Sequence, residues 1–168
     1  MNILGWFHTI CALVALGSGA AVLLRRKGTR SHRRLGWIYV ISMLAMNGTA
    51  LMIYRLFGGF GPFHAGAILS LLTVAAGTIP AYRRKPANWL EHHYAWITGS
   101  YVGLCAAAVA EVGTRVPGFQ FWWAVMLGTF AVVGIGVTLI RRRQAAVLAP
   151  FRRAASASTP PVQVPAIP

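Results

Sequence analysis

Acidic side chains are almost missing from this chain: among 168 residues only Glu91 and Glu111 carry a carboxylate, against 16 Lys and Arg and five His, for a formal net charge of +14. Two acids exclude the paired-carboxylate and most metal-phosphate designs of hydrolases and kinases. No HExxH, CxxC, GxSxG or glycine-rich phosphate loop is present to replace them. Cysteine is equally scarce. Cys11 and Cys105 both lie inside apolar runs, which excludes an extracellular disulfide framework and leaves the redox compartment open. Charged residues make up 11% of the chain, where a soluble domain carries about 25%, so a soluble globular domain is excluded as well.

What is present is long apolar sequence: 57% of the residues are hydrophobic and the mean hydropathy is +0.59. A bilayer core is crossed by roughly 20 mostly apolar residues in a helix. Five segments meet that length: residues 3–24, 35–57, 62–82, 94–112 and 119–140. They predict an all-α integral membrane protein with a five-span domain over residues 1–145. Met1 and Asn2 lead straight into the first run and its positive charges follow it, so this run is expected to persist as a helix rather than act as a cleaved signal.

Orientation follows from the cations, because cytoplasmic loops near helix ends collect Lys and Arg. Arg25, Arg26, Lys27, Arg30, Arg33 and Arg34 fall in the first loop, Arg83, Arg84 and Lys85 in the third, and Arg141, Arg142, Arg143, Arg152 and Arg153 after the fifth run. Only Arg55 and Arg115 are left for the other side. The expected topology in a bacterial inner membrane has the N-terminus outside and the C-terminus in the cytoplasm. The basic rim then faces anionic lipid at the inner leaflet, which accounts for the net charge without nucleic acid as a partner.

Local chemistry marks the boundaries. Ser31 is placed to cap the second helix, and Asn88 with Glu91 has capping-box spacing at the start of the fourth, after Pro86. Gly58, Gly59, Gly61 and Pro62 form one turn, Pro117 and Gly118 another, and Trp122 and Trp123 suit an interfacial belt. Thr9, Ser18, Ser42, Ser70, Thr73 and Ser100 read as hydroxyls bonded back to their own helices. Residues 146–168 turn to Ala, Ser, Thr and Pro, and are expected to form a disordered cytoplasmic tail.

The histidines and Glu111 are the residues whose burial calls for a reason, since ionisable groups in membrane spans face a bundle interior or cavity. At about 1.5 Å per residue, His8 and His64 stand some 25 to 29 Å from the basic rim, one level near the outside, while His32 and His93 share the inner level. In an up-down bundle, helices one and three, and helices two and four, are diagonal neighbours. Two facing pairs result, His8 with His64 and His32 with His93. Paired imidazoles are axial ligands for haem iron, flanked by small residues. His8, Ala12, Ala15 and Gly19 share a face, as do His32, Gly36, Tyr39 and Met43 with Asn47 at the edge, and His93, Ser100, Ala107 and Glu111. The same small residues also suit close helix packing, and Gly99 with Gly103 forms a GxxxG edge. A second chemical reading takes His8, His64 and Glu111 as two histidines and a carboxylate for a divalent transition metal. Glu111 is equally placed to pair with Arg115 at i+4.

Two stretches carry a family resemblance: His32-Arg33-Arg34-Leu35-Gly36-Trp37-Ile38-Tyr39, and His93-Tyr94-Ala95-Trp96 followed by Ser100-Tyr101. They resemble the His-Arg-x-x-Gly-x-x-Tyr and His-x-x-Trp-x-x-x-Ser-Tyr signatures of the bacterial membrane family called domain of unknown function 2306, over about residues 8–115. Ile97 stands where the pattern has Met. The resemblance implies a four-helix core with His8, His32 and His93 at matching positions; the fifth helix, which carries no His or acid, is expected to pack outside it. It supplies no chemistry, and the likeness to two-haem b-type transmembrane reductases is one of ligand geometry alone.

Three functions therefore stand as expectations: an electron carrier with haem b on His8 and His64 and on His32 and His93; a transporter or metal-site protein using His8, His64 and Glu111; and a membrane scaffold or assembly subunit with no cofactor. Whether a redox partner or quinone is engaged, and whether His92 or His93 is the inner ligand, stays open at this point. The topology has a direct check. Reporter fusions after Ser158 are expected to be active only on the cytoplasmic side and fusions at Gly59 only outside; the reverse pattern would invert every assigned histidine depth.

Overall fold

The computed structural model describes residues 3–54, 58–118 and 120–157. Five helices follow one another: α1 (Ile3–Leu24), α2 (Arg30–Ala50), α3 (Pro62–Arg83), α4 (Trp89–Gly113) and α5 (Phe121–Ala157), with no strand among the described residues. α1 lies along α2 and α3 along α4, and thinner contacts between α2 and α3 and between α1 and α4 close the four into a ring. The diagonals, α1 with α3 and α2 with α4, have no close backbone contact, and α5 packs on α4 outside the ring. Short loops force this order, because each helix must return beside its predecessor.

α1, α3, α4 and α5 are long and apolar enough to cross a membrane; α2 is not. The four basic residues of its first turns lower its hydropathy, and its partners in the ring cover much of it: Tyr39, Ser42, Met43, Met46, Asn47 and Thr49 are all buried. Its other face is apolar and exposed, with Trp37, Ile38, Ile41 and Leu44 turned outward. Phe7, Ile10, Leu13, Leu69, Leu72, Phe130 and Ile135 point outward and exposed, as apolar side chains do when hydrocarbon is the solvent. Trp122 and Trp123 are exposed at the end of the bundle away from most cations, as expected of interfacial anchors.

Several boundaries differ from those expected. Thr29, not Ser31, caps α2: its Oγ1 accepts the His32 N–H at 3.1 Å. The second span does not continue as helix to Phe57. Beyond Ala50 the chain tightens, with Met52 N–H bonding Thr49 O at 3.0 Å and Ile53 N–H bonding Ala50 O at 3.2 Å, and residues 55–57 lie outside the described residues. Asn88 precedes α4 without a side-chain cap, and Glu91 pairs with Arg152 rather than closing a capping box. That pair belongs to the largest correction. The tail expected to be disordered from residue 146 is helical through Ala157: Leu148 is buried, the Phe151 ring lies against Gly28, and Arg152 reaches Glu91 on α4. Its Ala, Arg, Gln and Leu are strong helix formers, and anchorage to α4 and the first loop outweighs Pro150. Residues 158–168 lie outside the described residues.

Hydroxyls bond back to their own helices as the composition suggests. Thr9 donates to Gly5 O at 2.9 Å, Ser18 to Val14 O at 2.6 Å, Thr73 to Ser70 O at 2.8 Å and Ser100 to Ile97 O at 2.8 Å. Ser70 instead accepts from Asn47 Nδ2 at 3.1 Å, which ties α2 to α3.

Small residues act here through close packing, at positions other than the expected GxxxG edge. A Cβ on Gly99 or Gly103 would meet nothing within 4 Å, whereas one on Gly77 would lie 2.9 Å from the Ile97 backbone nitrogen and 2.7 Å from its Cγ1. On α1, Gly19 leaves room for the rings of Tyr101 and Tyr39; a Cβ there would sit 2.4 Å from Tyr101 Cδ2. Gly77→Ala is expected to lower stability by about 1–3 kcal/mol, since backbone has to move. Gly99→Ala is expected to be neutral or to stabilise by up to about 1 kcal/mol through helix propensity. Thermal unfolding of both variants in one detergent checks the contrast, and equal losses would remove the α3–α4 contact from its place in the fold.

Candidate functional site

The site is built from two helices, α2 and α4, whose backbones do not approach closely. His32 lies in the first turn of α2 and His93 in the second turn of α4, so both enter the interior from the basic end. Their ring centroids are 6.4 Å apart and the ring planes stand at 88°. The His93 Nδ1–H donates to the carbonyl of Gly77 on α3 at 2.9 Å. A carbonyl can only accept, so this bond sets the tautomer and leaves Nε2 with its lone pair. On His32, Nδ1 is buried without a hydrogen-bond partner, and the Val22 carbonyl lies beside the ring. One turn above His32, a Cβ on Gly36 would meet nothing within 4 Å, which leaves space beside the pair.

Seven residues further along both helices stands a second bridge. Tyr39, 2% exposed, bonds Ser100 Oγ at 2.8 Å. Ser100 gives its own hydrogen to Ile97 O, so Tyr39 is the donor. α2 and α4 run parallel, and the equal spacing makes the histidine pair and the tyrosine–serine bond two rungs across one diagonal. Tyr101 closes the interior from α4, with its hydroxyl donating to Leu16 O at 3.2 Å.

Lys27 completes the basic end. Its Nζ donates to Val22 O at 2.8 Å and Leu23 O at 2.9 Å, satisfying the last carbonyls of α1 beside the histidine pair. Burial without an anionic partner holds its pKa below the usual lysine value. Sequence alone offered no signal for Lys27 or for the Gly77 carbonyl: one is a single cation in a basic loop, the other a backbone group of a residue with no side chain.

The structure also settles which of the adjacent histidines faces the core. His92 Nδ1 bonds the Asn88 carbonyl of its own helix at 3.2 Å, and His93 takes the interior. The remaining candidates are placed apart. His8 Nδ1 donates to Met46 O at 3.0 Å and also meets Thr49 Oγ1 at 3.0 Å, so it turns to its neighbour α2 rather than across to α3. His64 is 3% exposed, with its ring stacked 4.7 Å from Tyr54 and 5.2 Å from Phe60. Its Nδ1 accepts the Gly61 N–H at 3.2 Å, which places the ring hydrogen on a buried, unpartnered Nε2 and denies that nitrogen to a metal while the bond stands. Glu111 pairs with Arg115 at 2.7 Å on the exposed surface. Among the described residues no group of three His, Cys, Asp or Glu could hold a metal ion.

The family model described as Predicted membrane protein (DUF2306) matches residues 5–141, and the chain belongs to that family. The match covers the four-helix ring, both rungs and the apolar half of α5. No curated protein and no solved structure matches the chain.

The upper rung has an asymmetric test. Ser100→Ala leaves the buried Tyr39 hydroxyl without an acceptor and is expected to cost about 1–3 kcal/mol; Tyr39→Phe leaves Ser100 still bonded to Ile97 and should cost only about 1 kcal/mol. The double variant should resemble Tyr39→Phe in thermal unfolding. Strict additivity would mean that the two side chains are not coupled.

Proposed function

We propose that this member of the DUF2306 family is a five-span inner-membrane redox protein that binds one b-type haem between His32 and His93, its basic end facing the cytoplasm. The observation that carries the reading is the facing pair itself. A metal–imidazole bond of about 2.0–2.1 Å on either side of one iron puts two ring centroids about 6 Å apart, and the pair stands at 6.4 Å. A bare metal ion bound by protein alone takes three or four donors, which the described residues nowhere assemble. Haem brings four of its own nitrogens and asks the protein for two. The donor set therefore fits a macrocyclic metal and not a zinc-type site.

Haem supplies reversible one-electron transfer when bound. The chain's own groups define its surroundings. Gly77 O holds the His93 tautomer and raises the basicity of its free nitrogen. The Tyr39–Ser100 bond keeps α2 and α4 at a fixed separation. Lys27, a half-buried cation with only carbonyl partners, is a ready counter-ion for a carboxylate at that end of the bundle. Met43 and the rings of Tyr39 and Tyr101, which take the room that Gly19 leaves, fill the interior around the upper rung. His8 and His64 are not part of this site in the reading we favour, because His8 turns onto Met46 and Thr49 of α2 rather than across to His64, and His64 carries its hydrogen on Nε2.

Protein purified in mild detergent from cells supplied with haem precursor should be red, with a reduced-minus-oxidised spectrum of a bis-imidazole b-type haem and a stoichiometry of one per chain. His32→Ala and His93→Ala should each abolish the spectrum, while His8→Ala and His64→Ala retain it. A colourless wild type overturns the reading. Two haems per chain, with half lost on His8→Ala, would restore the outer pair as ligands.

A further inference from the structure

A groove of about 320 Å³ opens at the basic end between α2 and α3, lined by Trp37, Thr78, Ile79, Tyr82 and Arg83. It sits where the ring is thinly closed, and Thr78 in its wall directly follows Gly77, whose carbonyl holds His93. Three of its features have no use in the fold. Arg83 is exposed and makes no hydrogen bond or ion pair among the described residues. Tyr82 is 80% exposed with a free hydroxyl. Thr78 Oγ1 is buried and unpartnered, although a helical threonine ordinarily bonds its own backbone as Thr73 does here. The rest of the lining is apolar: Ile79 and Trp37 are half exposed at the level of a membrane interface.

We infer that this groove binds the headgroup and glycerol region of an anionic phospholipid. The unpaired guanidinium decides the occupant. A phosphate diester accepts from Arg83 and Tyr82 together, since charge-assisted bonds to phosphate are the strongest a guanidinium makes. Acyl chains continue along Trp37 and Ile79 into the bilayer. A neutral lipophilic ring such as a quinone would stack on Trp37 but leave Arg83 without a counter-charge. The bound lipid completes the thin α2–α3 wall. The inference is independent of the haem reading and of which face is cytoplasmic, because it needs only the position of the groove at a helix end.

The test is native mass spectrometry of the full chain, delipidated in detergent and then supplied with phosphatidylglycerol, with phosphatidylcholine of the same acyl chains, with inorganic phosphate, or with a long-chain ubiquinone. Wild type should retain one phosphatidylglycerol about tenfold more tightly than phosphatidylcholine, the difference expected of one charged hydrogen bond. Arg83→Gln should remove that preference while leaving phosphatidylcholine binding unchanged, and Lys85→Gln, outside the groove, should not. Thr78→Val, which keeps the shape and changes only a buried oxygen, should leave the preference unchanged. Inorganic phosphate should compete only weakly, because it lacks the apolar contacts. Equal retention of the two lipids by wild type, an unaltered preference in Arg83→Gln, full displacement by free phosphate, or tighter binding of ubiquinone than of phosphatidylglycerol would each overturn the assignment.

Discussion

The interior of this bundle depends on one bond across a gap. α2 and α4 never approach closely, so nothing in their backbones fixes the distance between them. The Tyr39 hydroxyl spans the diagonal to Ser100, and its ring is seated between Gly19 and Tyr101. In hydrocarbon an unpaired hydroxyl is costly, so this contact has a single satisfied arrangement. With both helices entering from the same end and the same seven-residue offset on each, that arrangement also sets the spacing of His32 and His93. The histidine pair inherits its geometry from the rung above it.

The scarcity of acids gives the polar interior its character. With two carboxylates, both on the surface and both paired with arginine, no buried charge is available to neutralise another. Buried polar groups are therefore answered by uncharged backbone groups: Gly77 O for His93, Met46 O for His8, the Gly61 N–H for His64, Met43 O for Asn47. The cations are held at the ends, and the exceptions are informative: Lys27 folds back on the carbonyls of α1, and Arg152 on α5 clasps Glu91 at the start of α4.

Much of the architecture was legible in the chain because hydrocarbon length and helical periodicity are local properties. The first and third runs match their helices almost residue for residue, and the third and fourth histidine-bearing faces follow from 100° per residue. The errors arose where partners outside the window decide the outcome. α2 stops early because the bundle around it covers its polar residues and the turn after Ala50 needs no further apolar length. α5 runs on because Leu148 and Arg152 find α4 and the first loop, a contact that composition alone cannot show. Thr29 displaced Ser31 as a cap by a shift of two residues in where the helix begins.

Sequence by itself determined that the chain is a helical membrane protein with its cations at one end, and that four histidines lie at two depths, because transfer of apolar side chains to lipid and the rise of a helix depend on composition and spacing alone. It could not decide which histidines face one another. That was decided by the tertiary structure, through rotation of each helix about its axis: α1 turns His8 onto Met46, the Gly61 N–H captures His64, and only α2 and α4 present theirs across the diagonal. Such rotations are set by packing between elements distant in the chain, where Gly19 admits Tyr101 and Gly77 admits Ile97, and no single helix contains that information.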